Sequence, residues 1–505
     1  MRRQLLTLKS GVAISYFSMP ILLYYYYEYP IYSTLLNLVV IPLMTLLLAF
    51  ALIALIAGAF WLPLGYLLGY PCHLILLLYT KLCSTVSKWP YHTLILGRPA
   101  IWKILLFYGI TFIIVIFHKK IPLSIEGKSV ALQIQKLRMR YRNLMLKNKL
   151  KIQERKIMVL AQKLFTGKEL LVVEQIERII LPWRGILMCL AVLVVVLRTP
   201  PELCISVLDV GQGDGICIQN EDMVYFVDGG SSSKKELANY QIIPFLKYYG
   251  IATVNYWFLT HPDGDHCSGL QEILEMEDVP ITIETIILPD AQGSAEDFYE
   301  IIALAENKGI NVEYMARGQA LSAGTETSTM LFSQSDKQEL YSDELTIYCL
   351  HPETKYITQE VNDYSLVLWL KYGDLDMLLT GDATERSEKE ILQFMEIKQW
   401  NIDNLEVLKV GHHGSSTSSS DGFLEFFSPQ ISLISCGLNN MYGHPHDETL
   451  ERLEEAGAGV IRTDESGAIE IRVIEDKLQT FVHGDGCRCP TKFENIESII
   501  KTYFL

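Results

Sequence analysis

Acidic side chains are almost missing from the first 118 residues of this 505-residue chain, where Glu28 is the single acid beside seven Lys and Arg. That excludes an ordinary solvated domain over this stretch. Cysteine-based scaffolding is lacking too. The ten cysteines contain no CxxC pair, and Cys487 and Cys489 stand as a lone CxC, too little for a cysteine zinc site or a disulfide framework. They do not assign a redox compartment. No small-residue cleavage site follows the basic-then-apolar start MRRQLLTLKSGVAISYF, so this start reads as a retained membrane-associated segment and not a signal peptide. A glycine loop opening a helix is also missing. The run LDVGQGDG leads into the strand-like ICIQ, which excludes a dinucleotide-binding fingerprint.

Apolar residues are abundant, half of the total, and concentrated toward the N-terminus. A bilayer-spanning helix takes about 20 of them in succession. Candidate spans are Val12–Tyr26, Leu35–Phe60, Leu62–Cys83, Ile104–Phe117 and Gly185–Leu197. The first is short, holds Pro20 and ends in YYYYEY, a composition suited to the membrane–water boundary. Pro42 falls inside the second, where it either kinks the helix or frees a carbonyl toward a protein or water partner.

Charge divides the remainder. Residues 119–184 hold 16 basic and 5 acidic side chains, and the rest of the chain holds 20 basic and 52 acidic ones. In the basic stretch Leu137, Tyr141 and Leu144 share one helical face. It reads either as a helix on the cytoplasmic membrane surface, held by anionic lipids, or as a contact for nucleic acid or a partner. Basic loops beside spans stay in the cytoplasm. The expected organisation is therefore membrane helices over 1–118, a basic helical cytoplasmic insert over 119–184, a final span over 185–198 and an extracytoplasmic domain over 199–505. From Cys204 strands and helices alternate, which indicates a layered α/β sandwich.

The chemistry centres on HPDGDH, directly after the strand-like VNYWFLT. Four metal-capable side chains, His261, Asp263, Asp265 and His266, occupy six positions, and on an extended chain 261, 263 and 265 point one way. Two imidazoles and two carboxylates suit two adjacent metals, each taking one His and one Asp. Such a pair stabilises both the attacking and the leaving oxygen of a displacement at phosphorus. Asp382, ending LLTGD, is placed to bridge them. Of His412 and His413 in LKVGHHGSS, one is expected as a ligand and the other against substrate phosphate. His444 and His446 in YGHPH are expected at the rim or as loop structure. Asp228 in VDGG reads as a support for the metal loop. Asp209 and Asp214 of LDVGQGDG are further supports, and Ser415 belongs to a serine-rich loop offering hydroxyls. Lys409 is expected in the catalytic set and, with Lys371, to favour a phosphate substrate.

Taken in order, LDVGQGD, VDGG, LTHPDGDH, VNDYSLVL, LLTGD, LKVGHHGS and YGHP resemble the ComEC-type DNA-internalisation proteins of bacterial competence, and EYPIYSTLLNLVVIPL resembles the late helices of their membrane domain. The family's usual preceding region has no counterpart in the resemblance. What it implies is an α-helical membrane half joined to a metallo-β-lactamase-fold αββα sandwich. The implied function is DNA uptake at the cell membrane, with other competence machinery as partners. The outer domain would hydrolyse DNA through a metal-bound hydroxide. Two other readings stay open: a hydrolase of the same fold acting on another ester, and a conduit without catalysis. The fold's usual second histidine is Asp263 here, and its intermediate histidine falls where only Asn362 and Ser365 are offered. The site is thus oxygen-rich, and Mn²⁺ competes with Zn²⁺ for it.

Overall fold

In a computed structural model, the described residues are 2–120, 183, 185–322, 344–358, 360–400, 402, 405–474, 477–483 and 494–495. The basic insert expected over 119–184 lies almost entirely outside them. The chain divides into two compact units, Met1–Arg198 and Thr199–Leu505.

The N-terminal unit is helical: α1 (Arg2–Tyr26), α2 (Ser33–Phe60), α3 (Leu62–Val86) and α4 (Ile101–Lys120), with a short antiparallel pair of strands, β1 (Glu28–Pro30) and β2 (Thr93–Ile95). α2 and α3 are long and apolar enough to cross a membrane, whereas the apolar helices Ile101–Val115 and Gly185–Val196 are shorter. None of the α2 or α3 side chains is buried, although both helices are apolar on all sides. A helix of that kind needs a hydrophobic medium around it. The two helices meet tightly at their hairpin: a Cβ on Gly65 would lie 2.5 Å from the Gly58 Cα. Beside Pro42, the Tyr79 hydroxyl donates to the Val40 carbonyl of α2 at 2.9 Å, so a neighbouring helix supplies a donor near the proline.

The C-terminal unit is built on two sheets. In chain order their strands are β3 (Leu203–Val207), β4 (Gly215–Asn220), β5 (Met223–Asp228), β6 (Thr253–Phe258), β7 (Thr282–Pro289), β8 (Asn311–Met315), β9 (Ala320–Ser322), β10 (Thr346–His351), β11 (Val367–Tyr372), β12 (Leu375–Leu379), β13 (Val407–Lys409), β14 (Ile431–Ile434), β15 (Gly459–Arg462), β16 (Ala468–Ile474), β17 (Lys477–His483) and β18 (Glu494–Asn495). One sheet runs β18-β17-β16-β3-β4-β5-β6-β7-β8 and the other β15-β14-β13-β12-β11-β10-β9. The strands that matter for the site are β5, β6, β10, β11, β12, β13 and β14. Side chains alternate across a strand, and the apolar residues obey this on both faces. Ile347, Leu368, Leu370, Met377, Leu379 and Val407 point between the sheets, where they meet Ile205, Ile218, Tyr225, Val227 and Phe258. Their neighbours Tyr348, Trp369, Leu378 and Leu408 point the other way, beneath the helices Glu385–Lys398, Asp421–Phe427 and Asp447–Glu455. The product is a four-layer αββα sandwich. Where β11 and β12 form a hairpin the pairing is antiparallel, whereas β5-β6 and β12-β13-β14 are parallel.

Parallel strands set their carboxyl ends along one edge, and loops leaving that edge collect ligand-binding side chains. The last residues before each site motif are fully buried, which fixes where the motif begins. On the outer face Trp257 stacks on Phe226 at 4.3 Å between centroids, and its indole N–H donates to the Asp228 carbonyl at 2.7 Å. Trp257→Ala should therefore lower the stability of the C-terminal unit by about 3–5 kcal/mol, read as an earlier thermal unfolding midpoint of the intact protein in detergent. An unchanged midpoint would show that this stack carries no weight.

Candidate metal centre

HPDGDH does not stay extended. The helix Gly264–Glu275 starts inside it, with Asp263 as N-cap. His261 and Asp263 therefore lie on the chain leaving β6, and Asp265 and His266 on the first helical turn. The expectation that 261, 263 and 265 share a direction by strand alternation fails for this reason, yet the turn still gathers all four side chains.

Their partners come from the other sheet. Asp382 follows β12, and its two oxygens face different neighbours. Oδ2 lies 3.8 Å from His261 Nε2 and 3.6 Å from His412 Nε2. Oδ1 lies 3.2 Å from His266 Nε2 and 3.7 Å from His413 Nε2. Asp263 Oδ2 is 3.6 Å from His261 Nε2, and Asp265 Oδ2 is 3.6 Å from His413 Nε2. Ligands about 2.1 Å from a shared tetrahedral ion stand roughly 3.4 Å apart, so these separations are those of donors around ions. Four of the buried atoms, His261 Nε2, His266 Nε2, His413 Nε2 and Asp382 Oδ1, have no hydrogen-bond partner. Unpartnered buried polar atoms are costly, and their convergence fits a cation. The charges agree. Asp214, Asp228, Asp263, Asp265 and Asp382 have one ammonium in contact among the described residues, Lys409. With neutral imidazoles this leaves four negative charges, which two divalent ions would balance.

The back of each imidazole is held. His266 Nδ1 donates to Asp228 Oδ2 at 2.9 Å, and His413 Nδ1 to the Ser435 carbonyl at 2.9 Å. Each acceptor takes a hydrogen from Nδ1, which leaves each Nε2 as the ring atom turned to the cluster. Asp228 also accepts from the Thr260 N–H at 2.8 Å and the Thr260 hydroxyl at 2.9 Å, and this hydroxyl lies 3.0 Å from His261 Nδ1. Burial opposes charge on His266, but Asp382 and Asp228 outweigh it and hold its pKa well above the usual histidine range. Burial likewise opposes charge on Asp265. Contact with His413 and the nearness of His266 bring that carboxyl down to about 2.

Backbone strain and close approach concentrate here. Asp228, His412 and His413 are left-handed, at φ 58°, 49° and 55°, a cost that persists at sites the surroundings over-determine. Glycine is required at 213 and 230: a Cβ on either would come within 2.4 Å of the Asp265 backbone. The GQGD and DGG turns are thus the floor on which the metal loop rests.

Several residues have other places than the sequence suggests. Lys409 is fully buried and binds Asp214 Oδ2 at 2.8 Å beneath the cluster, so it is a counter-charge and cannot meet substrate. Lys371 pairs with Asp376 at 3.1 Å, at the other end of the hairpin. Asp209 binds Lys234 at 3.2 Å and the Gly211 N–H, apart from the donors. His446 accepts from the Ser416 N–H at 2.9 Å, and Ser415 is buried against Thr417; both brace the loop. Asn362 and Ser365 lie on the turn beside β11, with Asn362 Oδ1 and Ser365 Oγ buried and unpartnered. His444 stands 5.5 Å from His412, ring to ring.

Sequence reasoning passed over three supports. Thr260 is described above. Asp363 accepts from Thr384 at 2.6 Å and from Arg386 and Thr358, both at 3.1 Å, tying the turn of Asn362 to the loop of Asp382. Glu388 is buried and accepts from the Ser419 and Ser420 N–H groups, pinning the loop after His413. Thr260 and Asp363 adjoin the recognised motifs, and that adjacency was the available signal.

Sheet order, sandwich and donor set define a metallo-β-lactamase fold, and residues 208–437 match the metallo-β-lactamase superfamily. Residues 2–120 match the competence protein family. The chain thus joins a competence-protein domain to a metallo-β-lactamase domain, the ComEC-type combination. It is 29% identical over 292 residues to ComE operon protein 3 of Bacillus subtilis, covering 55% of this chain and 34% of that protein. It is 27% identical over 321 residues to Recombination protein 2 of Haemophilus influenzae, covering 63% and 35%. It is 26% identical over 269 residues to Competence protein ComA of Neisseria gonorrhoeae, covering 53% and 32%. The match thus spans about a third of the length of each of these relatives.

If Asp228 orients His266, Asp228→Ala should weaken divalent-metal affinity about 10- to 100-fold, measured by chelator competition on the intact protein. Unaltered affinity would remove Asp228 from that role.

Proposed function

We propose that this chain is a membrane-attached phosphodiesterase that acts on DNA outside the cytoplasm during DNA uptake, using two divalent metals, Mn²⁺ or Zn²⁺. The observation that carries this reading is the division of donors about Asp382. His261 and Asp263 stand on one side of it, and Asp265, His266 and His413 on the other. The competence-domain match and the names of the relatives support a role in competence, and on this reading DNA and other competence machinery are the partners.

His261, Asp263 and Asp382 would hold the first metal, and Asp265, His266, His413 and Asp382 the second. When bound, the metals would activate water and stabilise charge on the attacking and leaving oxygens. Asp382 offers one oxygen toward each group of donors, so it would serve both ions. His412 is the more exposed histidine of the pair, and burial lowers its pKa, so a neutral ring faces the mouth of the site. There its Nε2–H can donate a hydrogen bond to a phosphate oxygen. The mixture of carboxylate and imidazole donors suits Mn²⁺ as well as Zn²⁺.

A nuclease assay of the intact chain with Mn²⁺ or Zn²⁺ tests the mechanism. His261→Ala and Asp382→Asn should each reduce cleavage by at least about 100-fold, and Asp382→Asn should also lower the bound metal from two ions per chain. Cleavage that survives both substitutions would sink the mechanism. Metal binding with no cleavage of any strand would favour a conduit. Placement is tested separately: protease added to intact cells should remove residues 199–505, and a protected domain contradicts the extracytoplasmic assignment.

A further inference from the structure

The loop after β14 carries a group of residues that the metal centre does not use. Leu438, Met441 and Tyr442 are 73%, 90% and 50% exposed, on one short segment. Large apolar side chains grouped at a surface mark contact sites more than singly scattered ones do. This segment is held in shape. The Asn440 amide donates to the Gly437 carbonyl at 2.9 Å and to the His444 carbonyl, and its oxygen accepts from the His444 N–H at 3.0 Å. Gln212, from the GQGD turn, accepts from the Gly437 N–H at 3.2 Å and reaches His444 Nδ1 at 3.4 Å. These exposed side chains therefore sit on a braced platform.

That platform is continuous with the metal centre. His266 and His413 are 5.2 Å apart, ring to ring; His413 stacks on His444 at 6.4 Å and 29°; His444 stacks on Tyr442 at 5.7 Å and 27°. A ladder of rings thus leads from the donors to an exposed tyrosine face. Beside it opens a cavity of about 680 Å³, lined in part by Gln212, Ser232, Asn439 and Tyr442. Its carboxylates are paired, Asp209 with Lys234 at 3.2 Å, and both Asp464 and Glu465 with the single Arg462 at 2.7 and 3.2 Å. A paired, ring-edged cavity suits a flat heterocycle better than a phosphate, which calls for unpaired cations.

We propose that Tyr442, flanked by Met441 and Leu438, is a base-stacking subsite that seats a nucleobase of single-stranded nucleic acid next to the phosphodiester at the metal centre. The inference rests on the phosphodiesterase reading for its geometry. Stacking on an aromatic face is tolerant of sequence, and the Asn439 amide on the same loop can bond a base edge.

The test is binding by fluorescence anisotropy, with the intact chain in nanodiscs, EDTA present to prevent cleavage, and a labelled single-stranded DNA oligonucleotide. Tyr442→Ala should weaken binding roughly tenfold, whereas Tyr442→Phe should restore it because the ring does the stacking. An oligonucleotide of abasic sites should bind wild type and Tyr442→Ala alike. Equal affinity of Tyr442→Ala and wild type for the normal strand overturns the subsite, as does an equal loss with the abasic strand. Accessibility gives a second readout. In Met441→Cys, a water-soluble maleimide should label residue 441, located by peptide mass spectrometry, and the oligonucleotide should protect it. Protection by the nanodisc bilayer without nucleic acid assigns the loop to lipid and overturns the proposal. Because none of these readouts needs turnover, a failure of the nuclease assay and a failure of this subsite are separate results.

Discussion

The carboxylate of Asp382 is the point on which the C-terminal unit turns. It leaves the seven-stranded sheet, and half of its neighbours leave the nine-stranded one. Its two oxygens meet His261 and His266 on one side of the sandwich seam and His412 and His413 on the other, at 3.2–3.8 Å. A displacement of either sheet along that seam would separate the two groups. The close packing between the sheets, from Ile205 and Tyr225 to Leu368 and Met377, is what prevents it. A core packed like a crystal transmits strain and does not absorb it, so the donor geometry inherits the rigidity of the sandwich.

The same dependence explains why so many polar groups lie beneath the cluster. Lys409 and Asp214 form an ion pair with both partners buried, a pairing that contributes little net stability by itself. Its effect is on charge. It neutralises one of five carboxylates and leaves the others to a cation. Asp214 also receives its place from the metal loop, because its N–H donates to the Asp265 carbonyl at 3.1 Å, and the Gly230 N–H donates back to the Asp214 carbonyl at 3.0 Å. The loops of LDVGQGDG, VDGG and HPDGDH are therefore one hydrogen-bonded unit, although 30 residues lie between the last two in sequence, where a helix and the strand β6 return the chain to the same edge.

How much of this could be read from the sequence follows from the range of the forces involved. Alternation and apolar runs are local, so VNYWFLT, SLVLWLKYG and ISLISCG are recognisable as strands without a structure. The donor types at HPDGDH, LLTGD and HHGS are local too. The helix over SGLQEIL was legible, but its start at Gly264 was not, since it lies inside a motif whose glycine and two aspartates resemble a turn. The place of Lys409 was also hidden. A lysine beside a histidine pair reads as a phosphate contact, and only the position of Asp214, 195 residues earlier, shows that its charge is already taken. Asp363 and Glu388 carry no chemical signature at all. Their importance lies in whose backbone and side-chain donors they receive, which is information about tertiary contact.

The acidity of the C-terminal unit bears on the proposed substrate. From residue 185 onward 52 acidic side chains face 20 basic ones, and a polyanion gains affinity mainly where cations neutralise its phosphates. On the proposed reading, then, long-range attraction does not bring DNA to this site. Affinity would have to come from short-range sources: cations at the donor cluster for one phosphate, and aromatic contact for a neighbouring base. Both vanish within a few ångströms, so such a site would select a strand that is already delivered to it. An unattached enzyme searching for DNA in solution would be poorly served by the same surface. The negative charge, which taken alone argues against a DNA substrate, is thus compatible with one presented locally, and it would suppress indiscriminate binding of duplex elsewhere on the domain.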